Sequence, residues 1–219
     1  FRDMGYLPEA LANYMAFLGW SPKSTKSEIL TLDEISKIFN ISDVNKAGAK
    51  FSWEKLNWIN SQYIKNMDPV KLSEIIWRYW DDMGWEPPSQ EWAIKLAFLI
   101  KDSMTLLKDA IDISKPFFLS PPIQKEGQDF LESNDSKVSL KLILNYLTEQ
   151  NIGKLEREKA KEIINTTSKM HNVKKGILMK SLRVAFFGSL SGPDLIQSWE
   201  LFSESKSDIL RIERCLKSI

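Results

Sequence analysis

What most constrains the fold of this chain is its helix punctuation. Start and stop signals recur along the whole length, and strict alternation of apolar and polar residues is nearly absent. Pro8 stands where a first helical turn tolerates proline. Leu11, Met15 and Leu18 then follow at spacings of three and four, and Gly19 with Pro22 ends the run. Thr31 and Glu34 form a capping box ahead of Ile35, Ile38 and Phe39, because each side chain can satisfy a backbone amide the helix leaves orphaned. Ser52 can cap a helix whose face carries Leu56, Ile59 and Tyr63. Asp68 and Pro69 are a cap and first-turn pair for another, carrying Leu72, Ile75, Ile76 and Tyr79. The same spacing predicts helices near 89–100, 104–113, 137–147, 157–171, 175–187, 193–202 and 208–216. The predicted class is all-α.

Composition sets the remaining bounds. At 219 residues and 43% hydrophobic side chains, the chain can bury a sizeable core. A formal charge of +1 gives the molecule as a whole no electrostatic case for a polyanionic partner, so any such case is local. One cysteine, Cys215, and one histidine, His171, exclude a disulfide framework and an all-protein Cys/His zinc site; no metal site is expected. The cysteine usage fits a reducing cytoplasm, the expected location. Apolar runs such as 97–100 fall far short of the roughly 20 residues of a membrane span, so no membrane partner is expected. The chain opens on Phe1 without a basic-then-apolar leader, which we read as a start inside a longer polypeptide.

Loop chemistry marks two boundaries. Met67 to Pro69 separates the first three helices from the next group, and 120–136, "SPPIQKEGQDFLESNDS", is the most loop-like stretch before the last group. Three helical modules are expected, over 1–67, 68–136 and 137–219.

Catalytic chemistry is nearly missing from the pattern. Cys215 and His171 each stand alone in a helical context with no orienting partner, and "GSLSGP" lacks both the preceding strand and the Lys-Ser/Thr ending of a phosphate cradle. No catalytic residue is assigned. One polar feature departs from the average: residues 163–193 contain no Asp or Glu but do contain Lys169, Lys174, Lys175, Lys180 and Arg183, with Lys180 and Arg183 spaced to share a helix face. Such a face is either solvated or contacts phosphates and bases. The eight tryptophans fall mostly at helical spacing with other apolar residues and read as core rather than as base-stacking platforms.

Three blocks add what spacing cannot. "FRDMGYLPEALANYMAFLGWSP", residues 1–22, closely resembles the segment after the lysine-rich ATP-site loop of bacterial-type glutamate-tRNA ligases. "FSWEKLNWINSQYI", 51–64, resembles the stem-contact region of that family, and "LRVAFFGSLSGPDL", 182–195, its C-terminal anticodon-binding domain. The family's nucleotide-binding half, with its His-rich signature and Lys-Ser-Lys loop, has no counterpart in these residues.

The resemblance implies a stem-contact module followed by two helical anticodon-binding domains forming a cage. Together these would be the tRNA-binding portion of a ligase that joins glutamate to its tRNA. It also implies a monomer, no cofactor in this portion, ATP and magnesium used by the missing half, and no activity of this portion alone. Single-stranded loops are where RNA sequence can be read, because splayed bases expose their hydrogen-bonding edges. Arg183 matches the arginine of the family pattern "LRxAxxG" near the anticodon, and Leu195 the leucine near the first anticodon base. Lys180, Lys174, Lys175 and, in the second block, Lys55 join them as tRNA-binding residues.

Two positions depart from the family. Ser103, in "KDSMTLL", stands where many members carry an arginine to the third anticodon base, with Lys101 as its nearest basic neighbour. A hydroxyl cannot reproduce the bidentate reach of a guanidinium. Gly192 stands where some relatives have threonine. The glutamate and glutamine tRNAs differ at the third anticodon base, so the implied selection is relaxed and both become partners. The competing reading is a non-enzymatic helical scaffold that binds proteins.

Overall fold

The computed structural model describes residues 1–45, 48–132 and 134–218. Among these are twelve α-helices, and the only strand-like pairing is an isolated antiparallel bridge between Trp20 and Val44. The chain divides into two compact units, one of Phe1–Gly84 with Ile100–Ile113, the other of Trp85–Leu99 with Ser114–Ile219. The boundaries read from loop chemistry, at 67/68 and 136/137, therefore each fall inside a unit.

The first unit holds α1 (Pro8–Phe17), α2 (Leu32–Ile38), α3 (Trp53–Asn66) and α4 (Pro69–Asp82). Three of its four helix starts carry a side-chain cap. The Thr31 hydroxyl accepts from the Glu34 amide at 3.2 Å while the Glu34 carboxylate accepts from the Thr31 amide at 2.7 Å. Ser52 accepts from the Lys55 amide, and Asp68 from the amides of Val70 and Lys71. Ala10, Tyr14, Leu56, Ile59, Leu72 and Ile76 are buried in its core. Two buried asparagines fasten loops to it. Asn60 accepts the Leu7 amide and donates to the Thr105 carbonyl, and Asn13 accepts the Leu30 amide and donates to the Glu28 carbonyl. Each satisfies backbone groups that would otherwise be buried unpaired.

The helix expected near 104–113 is displaced. A 3-10 turn spans Lys101–Ser103, Met104 is extended, and α6 runs Asp109–Phe118. The Asp109 carboxylate accepts the amides of Thr105 and Leu106 at 2.9 and 2.8 Å, so these amides bond to a side chain instead of a helical ladder and the helix begins only at Asp109.

The second unit is built on α5 (Gln90–Ile100), the end of α6, α7 (Lys125–Leu131), α8 (Asn134–Glu149), α9 (Arg157–His171), α10 (Lys175–Phe187), α11 (Leu195–Glu204) and α12 (Asp208–Lys217). Its core includes Leu140, Ile143, Ala160, Leu178, Leu182, Phe186, Trp199 and Phe202. Trp92 donates its indole N–H to the Leu201 carbonyl at 2.9 Å, joining α5 to α11. The segment 120–136 read as loop contains α7 and the start of α8, with Ser133 outside the described residues. α7 is held by packing: Gly127 is buried, and a Cβ there would stand 3.0 Å from Val184. Of the tryptophans, Trp20, Trp80, Trp85, Trp92 and Trp199 are buried as expected, whereas Trp53, Trp58 and Trp77 are exposed. On α3, Leu56, Ile59 and Ile64 take the core-facing positions and leave Trp53 and Trp58 off that face.

Candidate nucleic-acid interface

α10 is the element on which the basic residues converge. Its N-cap residue, Lys174, offers no side-chain acceptor, so the opening amides of the helix are not capped from within. Lys174, Lys175 and Lys180 are exposed on it, as is Lys169 near the end of α9, where Asn172 closes the helix in the left-handed conformation. The positive end of a helix and four exposed lysines from an acid-free stretch therefore lie along one run of chain. The Lys180 ammonium lies 5.9 Å from the centre of the Phe130 ring.

Arg183 is half-buried, and its Nη1 donates to two carbonyl oxygens, those of Gly192 and Pro193, each at 2.8 Å. Burial lowers its pKa from the ordinary value, and the charge of Asp194 opposes this. Among the described residues Nη1 is the only nitrogen of this guanidinium with a protein partner, which leaves Nε and Nη2 for another ligand. The expected base-contacting arginine is thus also the residue that shapes the loop 189–194.

That loop is fixed from several sides. Gly188 ends α10 at φ +68°, and a Cβ there would fall 2.2 Å from the Pro122 carbonyl oxygen. Its own carbonyl accepts the Gln124 amide at 2.7 Å. Gly192, at φ +150°, would bring a Cβ within 3.0 Å of the Phe187 ring. Ser189 donates to the Glu126 carboxylate at 2.9 Å, and the Leu190 amide reaches the same oxygen at 3.3 Å. Glu126 is a site residue the sequence does not disclose, and through it α7 brings an acid to a stretch that has none of its own. Asp194 caps α11 by accepting the Gln197 amide at 2.9 Å.

The other expected residues are placed differently. Leu195 is 1% exposed: as the first residue of α11 its apolar side chain turns into the core, so the side chain is not part of the surface a base would meet. Lys55, in the first unit, is half-buried, pairs with Glu28 and lies 4.5 Å over the Trp58 ring, so its charge is already partnered. Ser103 is exposed and Lys101 half-buried on the 3-10 turn of the first unit, where the buried Met104 anchors the next residue. The Cys215 thiol is buried and pushed up to about 11 by desolvation, whereas His171 is exposed. A thiol held protonated is a poor nucleophile.

Residues 62–216 match the family model described as anticodon binding domain, and residues 1–58 match that of class I (E and Q) tRNA synthetases, catalytic domain. The chain belongs to the anticodon binding domain family. This member of that family is 87% identical over its full length to a glutamate–tRNA ligase of Prochlorococcus marinus strain MIT 9312, covering 46% of that protein. It is 46% identical over 216 residues to the glutamate–tRNA ligase of strain NATL2A, covering 45% of it. The chain spans about half the length of the curated relatives it matches. The crystal structure of a glutamate tRNA ligase from Elizabethkingia meningosepticum in complex with its amino acid superimposes with a TM-score of 0.91 at 31% identity. That match covers 99% of this chain and 42% of the ligase. The all-α anticodon-binding architecture and the resemblance of the three sequence blocks to glutamate-tRNA ligases both agree with these matches. No helix among the described residues is long and apolar enough to cross a membrane.

Proposed function

We propose that this chain is the tRNA-binding part of a glutamate-tRNA ligase, which attaches glutamate to its tRNA with ATP, and that α10 with the loop 189–194 meets the anticodon loop. The match of residues 62–216 to the anticodon binding domain carries this reading. The exposed lysines of α9 and α10 supply phosphate contacts, which position RNA without reading sequence. Arg183, with Nε and Nη2 available beside a loop of fixed shape, supplies a donor set for a base edge or a phosphate. Leu195 contributes by holding the start of α11 rather than by touching a base.

The same reading assigns relaxed selection between the glutamate and glutamine tRNAs, because Ser103 presents a short hydroxyl where a guanidinium would discriminate. The test of the function is binding of the 219-residue chain to glutamate tRNA over a salt series. Affinity that falls steeply and linearly in log salt supports phosphate contacts. No tRNA binding, with salt-insensitive capture of a protein partner, would favour the helical scaffold instead.

A further inference from the structure

A second cationic site lies in the same unit, on a different face of α10. Ala185 is two positions from Arg183, about 200° around the helix, and it lines a cavity of about 270 Å3 between α12 and the segment 120–123. Arg211 and Arg214 of α12 also line it, with Gln128, Cys215 and Ser218.

Arg211 is 4% exposed. Its Nη1 donates to the Phe186 carbonyl at 2.9 Å and its Cζ lies 4.3 Å from the centre of the Phe202 ring, but its Nε is buried without a hydrogen-bond partner. Arg214, one turn further along α12 and exposed, donates to the Ser120 carbonyl at 3.0 Å. Among the described residues neither arginine forms an ion pair with a carboxylate, and none of the residues lining the cavity is acidic. Asp208, one turn before Arg211, is buried against the Trp199 indole N–H at 3.3 Å, and Glu213, between the two arginines on α12, is not among the residues lining the cavity.

A buried cation without a counter-charge is costly, and a carbonyl oxygen and an aromatic ring offset only part of that cost. A second guanidinium at the same cavity adds to it: burial first, and then the like charge of Arg214, lower the Arg211 pKa to about 10. The carbonyl ends of α12 disfavour an anion, but they carry partial charges against two full ones. We propose that this cavity is an oxyanion site, taking a phosphate group between the guanidinium groups of Arg211 and Arg214. Planar guanidinium groups suit such a ligand because their donors match adjacent oxygens, and the volume exceeds that of a phosphate alone.

The test follows the side-chain Nε–H resonance of Arg211 in the full chain labelled with 15N-arginine, titrated with sodium phosphate against sodium chloride at matched ionic strength. A saturable shift with phosphate only is expected, weakened about tenfold or more in Arg214→Gln, as for loss of a charge-assisted bond. Arg214 is exposed, so that variant stays folded, which the backbone amide spectrum verifies. No shift, or a shift common to both salts and unchanged in Arg214→Gln, overturns the proposal. A parallel titration with a short 5′-phosphorylated oligonucleotide and its unphosphorylated twin separates the sources: saturation by the phosphorylated one alone assigns a nucleic-acid end, and saturation by inorganic phosphate alone a free ion.

Discussion

Nη1 of Arg183 lies 2.8 Å from the carbonyl oxygen of Gly192, and the same nitrogen holds the carbonyl of Pro193. One side chain on α10 thereby fixes the loop that leads into α11 while keeping further donors for RNA. Arg183→Ala is expected to weaken tRNA binding by about 1–3 kcal/mol. It should also raise hydrogen exchange of the 189–194 amides in the free chain. Lys in place of Arg183 restores charge but not the planar fork, so it recovers only part of the affinity. Unchanged tRNA affinity in a folded Arg183→Ala chain would remove this helix from the interface.

Gly188 is the tightest backbone crossing beside that loop. Alanine there must adopt φ +68° and push a Cβ toward the Pro122 carbonyl, so Gly188→Ala is expected to lower unfolding free energy by about 2–4 kcal/mol, read from the urea midpoint. Gly192→Thr meets the Phe187 ring instead, and destabilises less if Phe187 can shift. A Gly188→Ala chain as stable as its parent would contradict the crossing described.

Lys95 gathers three carboxylates, those of Glu204 at 2.9 Å, Glu200 at 3.2 Å and Glu91 at 3.3 Å, while Arg157 holds Glu200 at 2.7 Å. Burial pushes the Glu200 carboxyl up, but the hydrogen bonds from Arg157 and Lys95 outweigh it, and its pKa lies below the ordinary 4.5. A carboxylate whose folded pKa is depressed contributes stability fully above its unfolded pKa and loses it as pH falls through the folded one. Unfolding free energy should therefore decline below about pH 4.5, with a shallower decline in Glu200→Gln. Lys95→Met should cost about 2 kcal/mol, less than a fully buried broken pair because the cluster is partly exposed. Denaturant titrations at several pH values check both.

The residues that declare themselves in sequence act locally. Thr31, Ser52 and Asp68 each bond an amide two or three residues on, and every one starts a helix where its spacing puts it. The bounds of α9 and α10 also follow from the pattern. What was not legible depends on distant partners. Glu126 meets Ser189 and Leu190, more than sixty residues away, from inside a stretch of loop-like composition. The partners of Arg183 are backbone carbonyls, which leave no mark in sequence, and the burial of Leu195 follows from packing rather than from its motif position.

Ser103→Arg tests selection at the third anticodon base. The parent chain is expected to bind glutamate and glutamine tRNAs with near-equal affinity. The variant should separate them by about 1–3 kcal/mol in favour of the glutamate tRNA. Strong preference for the glutamate tRNA in the unmodified chain would contradict relaxed selection and leave the anticodon reading intact.

The most direct test of the anticodon assignment is equilibrium binding of the full chain, at one fixed salt concentration, to glutamate tRNA and to the same tRNA with its three anticodon bases replaced. The account predicts that the replacement costs about tenfold or more in affinity, the loss of one or two good base contacts, while residual phosphate-driven binding persists. Equal affinity for the two RNAs would contradict it.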